Sequence, residues 1–255
     1  MSNKRQAADF DTFVRFWILN HHSGGTVNIP PSDWAVLLYA SHGALTVQSN
    51  DIAWILPANR ALWINPNCSY QIISTAPVEI RSLYFSPRLK KTRSQVPLEV
   101  TSLMRELILA ACERGPLNES SPTHMALIQL IEHEIELATQ FPISIPLPCS
   151  PILRKLAQCA IQSNEPLSKL VKNTGFSRRT IERRMKIETR LTLGNWYRQA
   201  CMLRAIVALS KGENVNEASM IAGYSEPSAF ISAFKKKFGL SPSKMMPFNK
   251  KNWTS

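Results

Sequence analysis

Arg179, Glu182, Arg183 and Lys186 are spaced i, i+3, i+4 and i+7, so on a helix they form one stripe. Guanidinium groups on such a stripe carry forked donors that match the O6 and N7 edge of guanine in a major groove. The first turns of a helix are the ones that reach base edges, which adds Arg178 to the candidate readers. A stripe of the same spacing recurs further on as Ser228, Ile231, Ser232 and Lys235. It is weakly polar and predicts less discrimination; Ile231 either touches a thymine methyl or is half-buried. Arg184, Lys235, Lys236 and Lys237 suit phosphate contacts, which position a protein on DNA without reading it.

Other chemistries find less support. A metal-dependent enzyme needs two or three converging histidines and a carboxylate. The strand-like region offers His42 and Glu79, with His21 and His22 ahead of it. The five cysteines are scattered, with no C-x-x-C pair, which fits a reducing, cytoplasmic setting without metal or cofactor. An alkylation-sensing repair protein would need an activated thiol. Cys149 and Cys68 have no base or metal partner nearby in sequence. A uniform architectural DNA binder would not need two stripes of different composition.

The two stripes belong to a repeat. At an offset of 48, Leu170 meets Ala218, Gly175 meets Gly223, Phe176 meets Tyr224 and Ser177 meets Ser225. After one inserted residue, Ile181 meets Phe230 and Met185 meets Phe234. Each copy reads as a short helix, a Gly-aromatic-Ser turn and a second helix, the grammar of a helix-turn-helix. Glycine permits the positive φ of a tight turn, and the serine is a suitable N-cap. Pro227 falls in a first helical turn, where its missing N–H costs nothing. Ile181 and Met185, and then Phe230, Phe234 and Phe238, recur every four residues and are expected to face inward. A long helix, Leu193–Lys211, joins the copies, with Trp196 read as core.

Charge separates the chain into halves. The net charge is +12, yet residues 1–150 carry 11 Lys and Arg against 12 Asp and Glu. Residues 151–255 carry 19 against 6, so a polyanion partner, nucleic acid before a membrane surface, is expected for the C-terminal half alone. The boundary coincides with four prolines in 141–151, which predict a stiff linker between domains at 1–140 and 152–250. The spacing predicts helices from Ile152 onward at 152–162, 167–173, 178–189, 193–211, 215–222 and 226–238, with a short one from Ser241. No apolar run is long enough for a membrane span or a signal peptide.

Before the boundary, six short apolar segments between Trp34 and Phe85, punctuated by Pro, Asn and Gly, predict a small β-barrel or sandwich. Two amphipathic helices follow, about 97–114 with Leu103, Leu107, Ala110 and Ala111 as the packing stripe, and about 122–140 with Leu127, Leu130, Ile131, Ile135 and Ala138. The aromatic residues Trp34, Tyr39, Trp63 and Tyr70, with Arg60 and Arg81 as anion handles, are candidate liners of a small-molecule pocket inside the barrel. The fold class is therefore α+β in two domains.

The run AGYSEPSAFISAFKKKFGLSP (222–242), with GFSRRTIERRMK (175–186), resembles the AraC/XylS family of bacterial transcription regulators. The resemblance covers about Leu167–Pro242 and implies a seven-helix DNA-binding domain that acts at promoters, with RNA polymerase as a further partner. Cys201 and Met245-Met246 depart from that family's pattern, where Arg and Tyr-Arg are usual. The segments DWAVLLY (33–39) and PANRALWINP (57–66) are similar to cupin-like sensor domains of the same family. In those, metal-type histidines stand where this chain has Pro30, Ser32 and Tyr70, so a metal-free sensor is implied. The resemblance also implies a homodimer formed through the helices of 97–140.

Overall fold

The computed structural model describes residues 12–245, apart from 22–24, 50, 75–76, 90–92, 94 and 142; His22 and Met246 therefore lie outside the described residues. The N-terminal part runs β1 (Thr12–His21), β2 (Gly25–Ile29), β3 (Ala35–His42), β4 (Ala44–Ser49), β5 (Ile52–Pro57), β6 (Arg60–Ile64), β7 (Tyr70–Ser74), β8 (Val78–Phe85), β9 (Pro97–Glu99), α1 (Ser102–Arg114), β10 (Leu117–Asn118), α2 (Pro122–Leu137) and β11 (Ser144–Pro146). All the strands pair antiparallel in two sheets, of order β10-β1-β8-β3-β6-β9 and β11-β5-β4-β7-β2. The N-terminal domain is thus a compact double sheet whose hydrogen bonding, among the described residues, does not close into a barrel.

Alternation along the strands makes two cores from one set of sequences. Val36, Leu38, Leu62, Ile64 and Ile80 of the first sheet meet Leu45, Val47, Trp54, Leu56 and Ile72 of the second. The intervening residues Leu37, Tyr39, Trp63, Leu83 and Phe85 face outward onto Met104, Ile108, Ile128 and Ile131 of α1 and α2. Central strands buried on both faces read as continuous apolar runs, which is how β3 to β8 are visible in the sequence.

The helices keep most of the expected packing stripe, with Ala111, Leu127, Ile131 and Ile135 buried, and depart from it at Leu103 and Leu130. Residues 97–99 pair with β6 instead of opening α1, which starts at Ser102 under a Thr101 cap. Met104, Ile108, Ala111 and Cys112 are buried, while Leu103 is 55% exposed. On α2, Leu127, Ile128, Ile131 and Ile135 are buried, and Leu130 and Leu137 are 49% and 68% exposed. Both helices carry two apolar stripes of helical period, and period alone does not choose between them.

The C-terminal part runs α3 (Pro151–Gln162), α4 (Leu167–Lys172), α5 (Arg178–Thr189), α6 (Leu193–Ser210), α7 (Val215–Ile221), α8 (Pro227–Phe238) and a 3-10 turn at Pro242–Met245. α6 is its axis: Leu193, Trp196, Ala200, Leu203, Ile206 and Leu209 are buried. Between the two parts, residues expected as a free-standing linker are an edge strand. β11 pairs with β5 from Ser144↔Trp54 to Pro146↔Ile52. Pro146 is tolerated there because an edge strand has one side without ladder partners. Ile143, Ile145 and Leu147 are buried in one core with Ala53 and Ile55 of β5 and the helices around α6.

Gly43 joins β3 to β4 at φ +77°, and a Cβ built there would lie 2.5 Å from the Pro77 carbonyl oxygen. Both the left-handed backbone and the backbone neighbour exclude a side chain. Gly43→Ala should therefore cost about 2–3 kcal/mol and lower the thermal midpoint by at least about 4 °C. Calorimetry of the full chain checks this, and an unchanged midpoint would refute the tight approach.

Candidate nucleic-acid interface

The first helix-turn-helix is built as its sequence implies. α4 ends at Lys172, Gly175 takes φ +73°, and Ser177 caps α5 by accepting from the Thr180 backbone N–H at 3.2 Å. Ile181 and Met185 are fully buried and hold the inner side of α5. Arg178, Arg179, Glu182, Arg183 and Lys186 are all exposed on the outside. Arg178 Nε donates to Glu182 Oε1 at 2.8 Å, an exposed i,i+4 pair that contributes about 0.3–0.5 kcal/mol. Among the described residues, Arg179, Arg183 and Lys186 have no ion pair. The stripe thus presents a net positive, forked-donor surface with one carboxylate tied down at its side.

Arg184 departs from the simple surface reading. It is half-buried, with its guanidinium 5.1 Å from the Phe176 ring centroid. It braces the turn, and its charge adds to the field of the interface more than to a direct contact. Sequence spacing missed this pair because Phe176 lies in the turn, outside helical register with Arg184.

The second copy keeps the plan and changes one detail. Gly223 takes φ +81°, and Phe230, Phe234 and Phe238 are buried with successive rings edge to face at 5.5 and 4.7 Å. Pro227 opens α8, as expected. Ser225 does not cap it; Glu226 is the N-cap residue and makes no side-chain cap bond. The inserted residue pushes the helix start one position along, so the serine falls outside capping reach. Ser228 and Ser232 are exposed, and Ile231 is half-buried against the core. Lys235, Lys236 and Lys237 line the end of α8, with Lys237 Nζ 5.5 Å from the Phe238 ring and burial drawing its pKa down.

The six candidate pocket residues do not converge. Tyr39 and Trp63 face the helices, where Tyr39 Oη donates to Asn59 Oδ1 at 3.4 Å and Trp63 Nε1 donates to Asn65 Oδ1 at 3.0 Å. Trp34 lies under the Arg15 guanidinium, and Arg81 contacts Asn20 and Glu79. Arg60 is buried between Glu99, at 3.5 Å, and the Phe141 ring; desolvation lowers its pKa against the pull of Glu99. Tyr70 alone of the six belongs to the core between the sheets, where burial raises its pKa. Apolar side chains in the strands say that a position is buried but not on which face. A cavity of about 210 Å³ lies elsewhere, between the outer face of the second sheet (Thr46, Ile55, Ile73) and Ile161, Arg204 and Val207 of α3 and α6. Among the described residues no group of three His, Cys, Asp or Glu side chains gathers to hold a metal.

Two family models match this chain, an AraC-like ligand binding domain over residues 31–117 and a helix-turn-helix domain over residues 170–246. The transcriptional regulator NimR of Escherichia coli K12 is 28% identical over 210 residues, 81% of this chain and 77% of that protein. The virulence regulon transcriptional activator VirF of Shigella flexneri is 24% identical over 243 residues, 85% and 92% of the two chains. A crystal structure of ToxT from Vibrio cholerae superposes with a TM-score of 0.39 at 8% identity over 91% of this chain and 97% of that one.

The two turns differ in a way that can be measured. Ser177→Ala should cost about 1 kcal/mol, since it removes an N-cap. Ser225→Ala should stay within about 0.5 kcal/mol, since it caps nothing. Urea unfolding of the two variants checks the contrast, and equal losses would contradict the shifted start of α8.

Proposed function

The chain belongs to the AraC family of transcriptional regulators, and we propose that it reads two successive major-groove segments of double-stranded DNA through α5 and α8. The observation that carries this reading is the exposed trio Arg179, Arg183 and Lys186 on a helix whose other side is fixed by Ile181 and Met185. Arg178 and Glu182 complete the base-facing set on α5, and Ser228, Ser232 and the half-buried Ile231 make the weaker set on α8. α5 supplies most of the discrimination; α8 supplies register, helped by phosphate contacts from Lys235 and Lys236, while Lys237 and Arg184 act mainly through their charge. α6 has 18 residues, about 27 Å of helix, comparable with the roughly 34 Å between successive major-groove segments on one DNA face.

The same premise extends to the sensor. A small-molecule effector acts on the N-terminal domain, and the cavity between the second sheet and α3 and α6 is the place proposed for it. It is supported by walls that mix apolar side chains with Gln162, Asn164 and Arg204, whose guanidinium donates to the Ala160 carbonyl and to Cys201 Sγ. Leu103, Leu130 and Leu137, left exposed on the packed pair α1 and α2, support a homodimer through those helices. Activation through RNA polymerase is proposed by analogy with VirF. Among the described residues no helix is long and apolar enough to cross a membrane, and the proposed place of action is the cytoplasm.

Arg183→Ala should cost about 1–3 kcal/mol on a site selected from random DNA and relax the base preference at one position. Lys236→Ala should weaken specific and random DNA alike and lower the salt slope by about 1. Fluorescence anisotropy against salt separates the two, and identical behaviour of both variants would remove the base-reading role of the stripe. For the dimer, Leu130→Glu should shift sedimentation equilibrium from two copies to one; a wild-type chain that stays monomeric at high concentration sinks the proposal.

A further inference from the structure

Residues 141 and 143–150 contact α3, α5, α6 and α8 of the DNA-reading half while paired to the sensor. Their start is Phe141, whose ring stacks on Phe238 in the last turn of α8 with centroids 5.5 Å apart and planes at 28°. The middle is Pro146, whose carbonyl accepts from Trp196 Nε1 of α6 at 2.6 Å. Their end is Ser150, whose backbone N–H donates to Glu188 Oε2 in the last turn of α5 at 2.8 Å. On the other side, the Ile55 N–H donates to the Ile143 carbonyl at 3.1 Å, the Leu147 N–H donates to the Asp51 carbonyl at 2.5 Å, and β11 continues the sheet past β5. Arg60 of the sensor lies over the Phe141 ring at 5.0 Å, so Phe141 has a sensor cation near one side and a reading-helix aromatic near the other.

We propose that this segment sets the relative orientation of α5 and α8, with Phe141 and Glu188 as positioning residues. The two reading helices are joined to each other by α6 and α7, and both are also tied at their C-terminal turns to residues flanking β11, which is paired to the sensor sheet. Their N-terminal turns, which face DNA, carry no such tie. A tie at one end of a helix governs the tilt of the other end. The Glu188 bond is charge-assisted, with a backbone donor at the N-terminus of α3, where the helix dipole favours a carboxylate. The Phe141 contact is an aromatic stack with its own geometric preference beyond area. Two directional contacts, one per reading helix, from the short segment that carries β11 make the sensor one side of the reading frame. The inference rests on the two-segment reading above and adds which residues set the angle between its halves.

The test uses the full chain and a duplex selected by it from random-sequence DNA. Two further duplexes carry one base pair inserted or removed between the two recognised segments, which turns one segment by about 35° against the other. On wild-type protein both altered duplexes should bind at least about tenfold more weakly than the selected one. Glu188→Ala and Phe141→Leu should lose about tenfold on the selected duplex and about threefold or less on the altered ones, so spacing discrimination collapses while binding to random DNA is unchanged. Glu188→Gln, which keeps an acceptor oxygen, should restore part of the discrimination. If each variant weakens all duplexes by one common factor, or none of them, the segment is packing only and the proposal fails. Should Phe141→Leu not fold, the half-exposed Glu188 carries the test by itself. A wild-type chain that selects no sequence overturns the underlying DNA reading; one that selects a sequence but ignores spacing overturns the positioning role alone.

Discussion

The structure depends on one apolar core that ignores the border between its halves. Ala53 and Ile55 leave the second sheet on its outer face and meet Ile143, Ile145 and Leu147, then Leu153, Trp196 and Leu203, then Phe230 and Phe234. At 0% exposure the Trp196 indole has no water to bond, and its N–H finds the Pro146 carbonyl. Removing the sensor sheet would expose this face, and removing the helices would expose the sheet. The halves differ in charge and ancestry of motif, yet their stability is shared. An effector on one side therefore has a physical route to the other, since interdigitated cores shift between discrete arrangements more readily than they stretch.

The proposed division of labour between the two helices would follow from the same packing. α8 devotes three phenylalanines to the core and half-buries Ile231, which leaves serines free on its first two turns and lysines on its last. α5 anchors itself with two buried residues and a Ser177 cap, and its mean surface is charged. On the proposed reading, a strongly anchored, weakly polar helix would give register and a lightly anchored, arginine-bearing one would give sequence. The net positive charge of residues 151–255 serves both without discriminating between bases, because phosphate attraction is independent of sequence.

What could be read from the sequence was what is decided locally. The boundaries of α5 were legible residue for residue, because glycine, cap and four-residue spacing all act within two turns. β3 to β8 were legible because their turns are marked by Asn, Pro and Gly; Asn59 and Asn67 do take positive φ. β9, β10 and β11 were not, since strands of two or three residues have no period and exist only through their partners. β1 and β2 were missed as well: β2 is largely exposed and carries no apolar run. The Ser225 cap failed by one residue, because the inserted position moves the helix start without changing the motif's letters.

The six candidate pocket residues separate for a deeper reason, and it bears on how effector control can work here. The sheet interior is filled by Val36, Leu38, Trp54, Leu62 and Ile80, while Tyr39 and Trp63, the polar-tipped aromatics, turn to α1 and α2. In a strand buried on both sides, composition cannot tell one face from the other, so aromatic content overstated the room inside. One cavity is lined in part by Tyr70 with Pro30, Gln48 and Arg154, and another lies where the sheet meets α3 and α6, beside the helix that joins the two reading units. A molecule bound there would press on Val207 and Arg204, on the same helix as Trp196, without any signal having to cross the sensor core. With an effector in that place, the sensing and reading surfaces would share a wall, and control would act over the width of one helix.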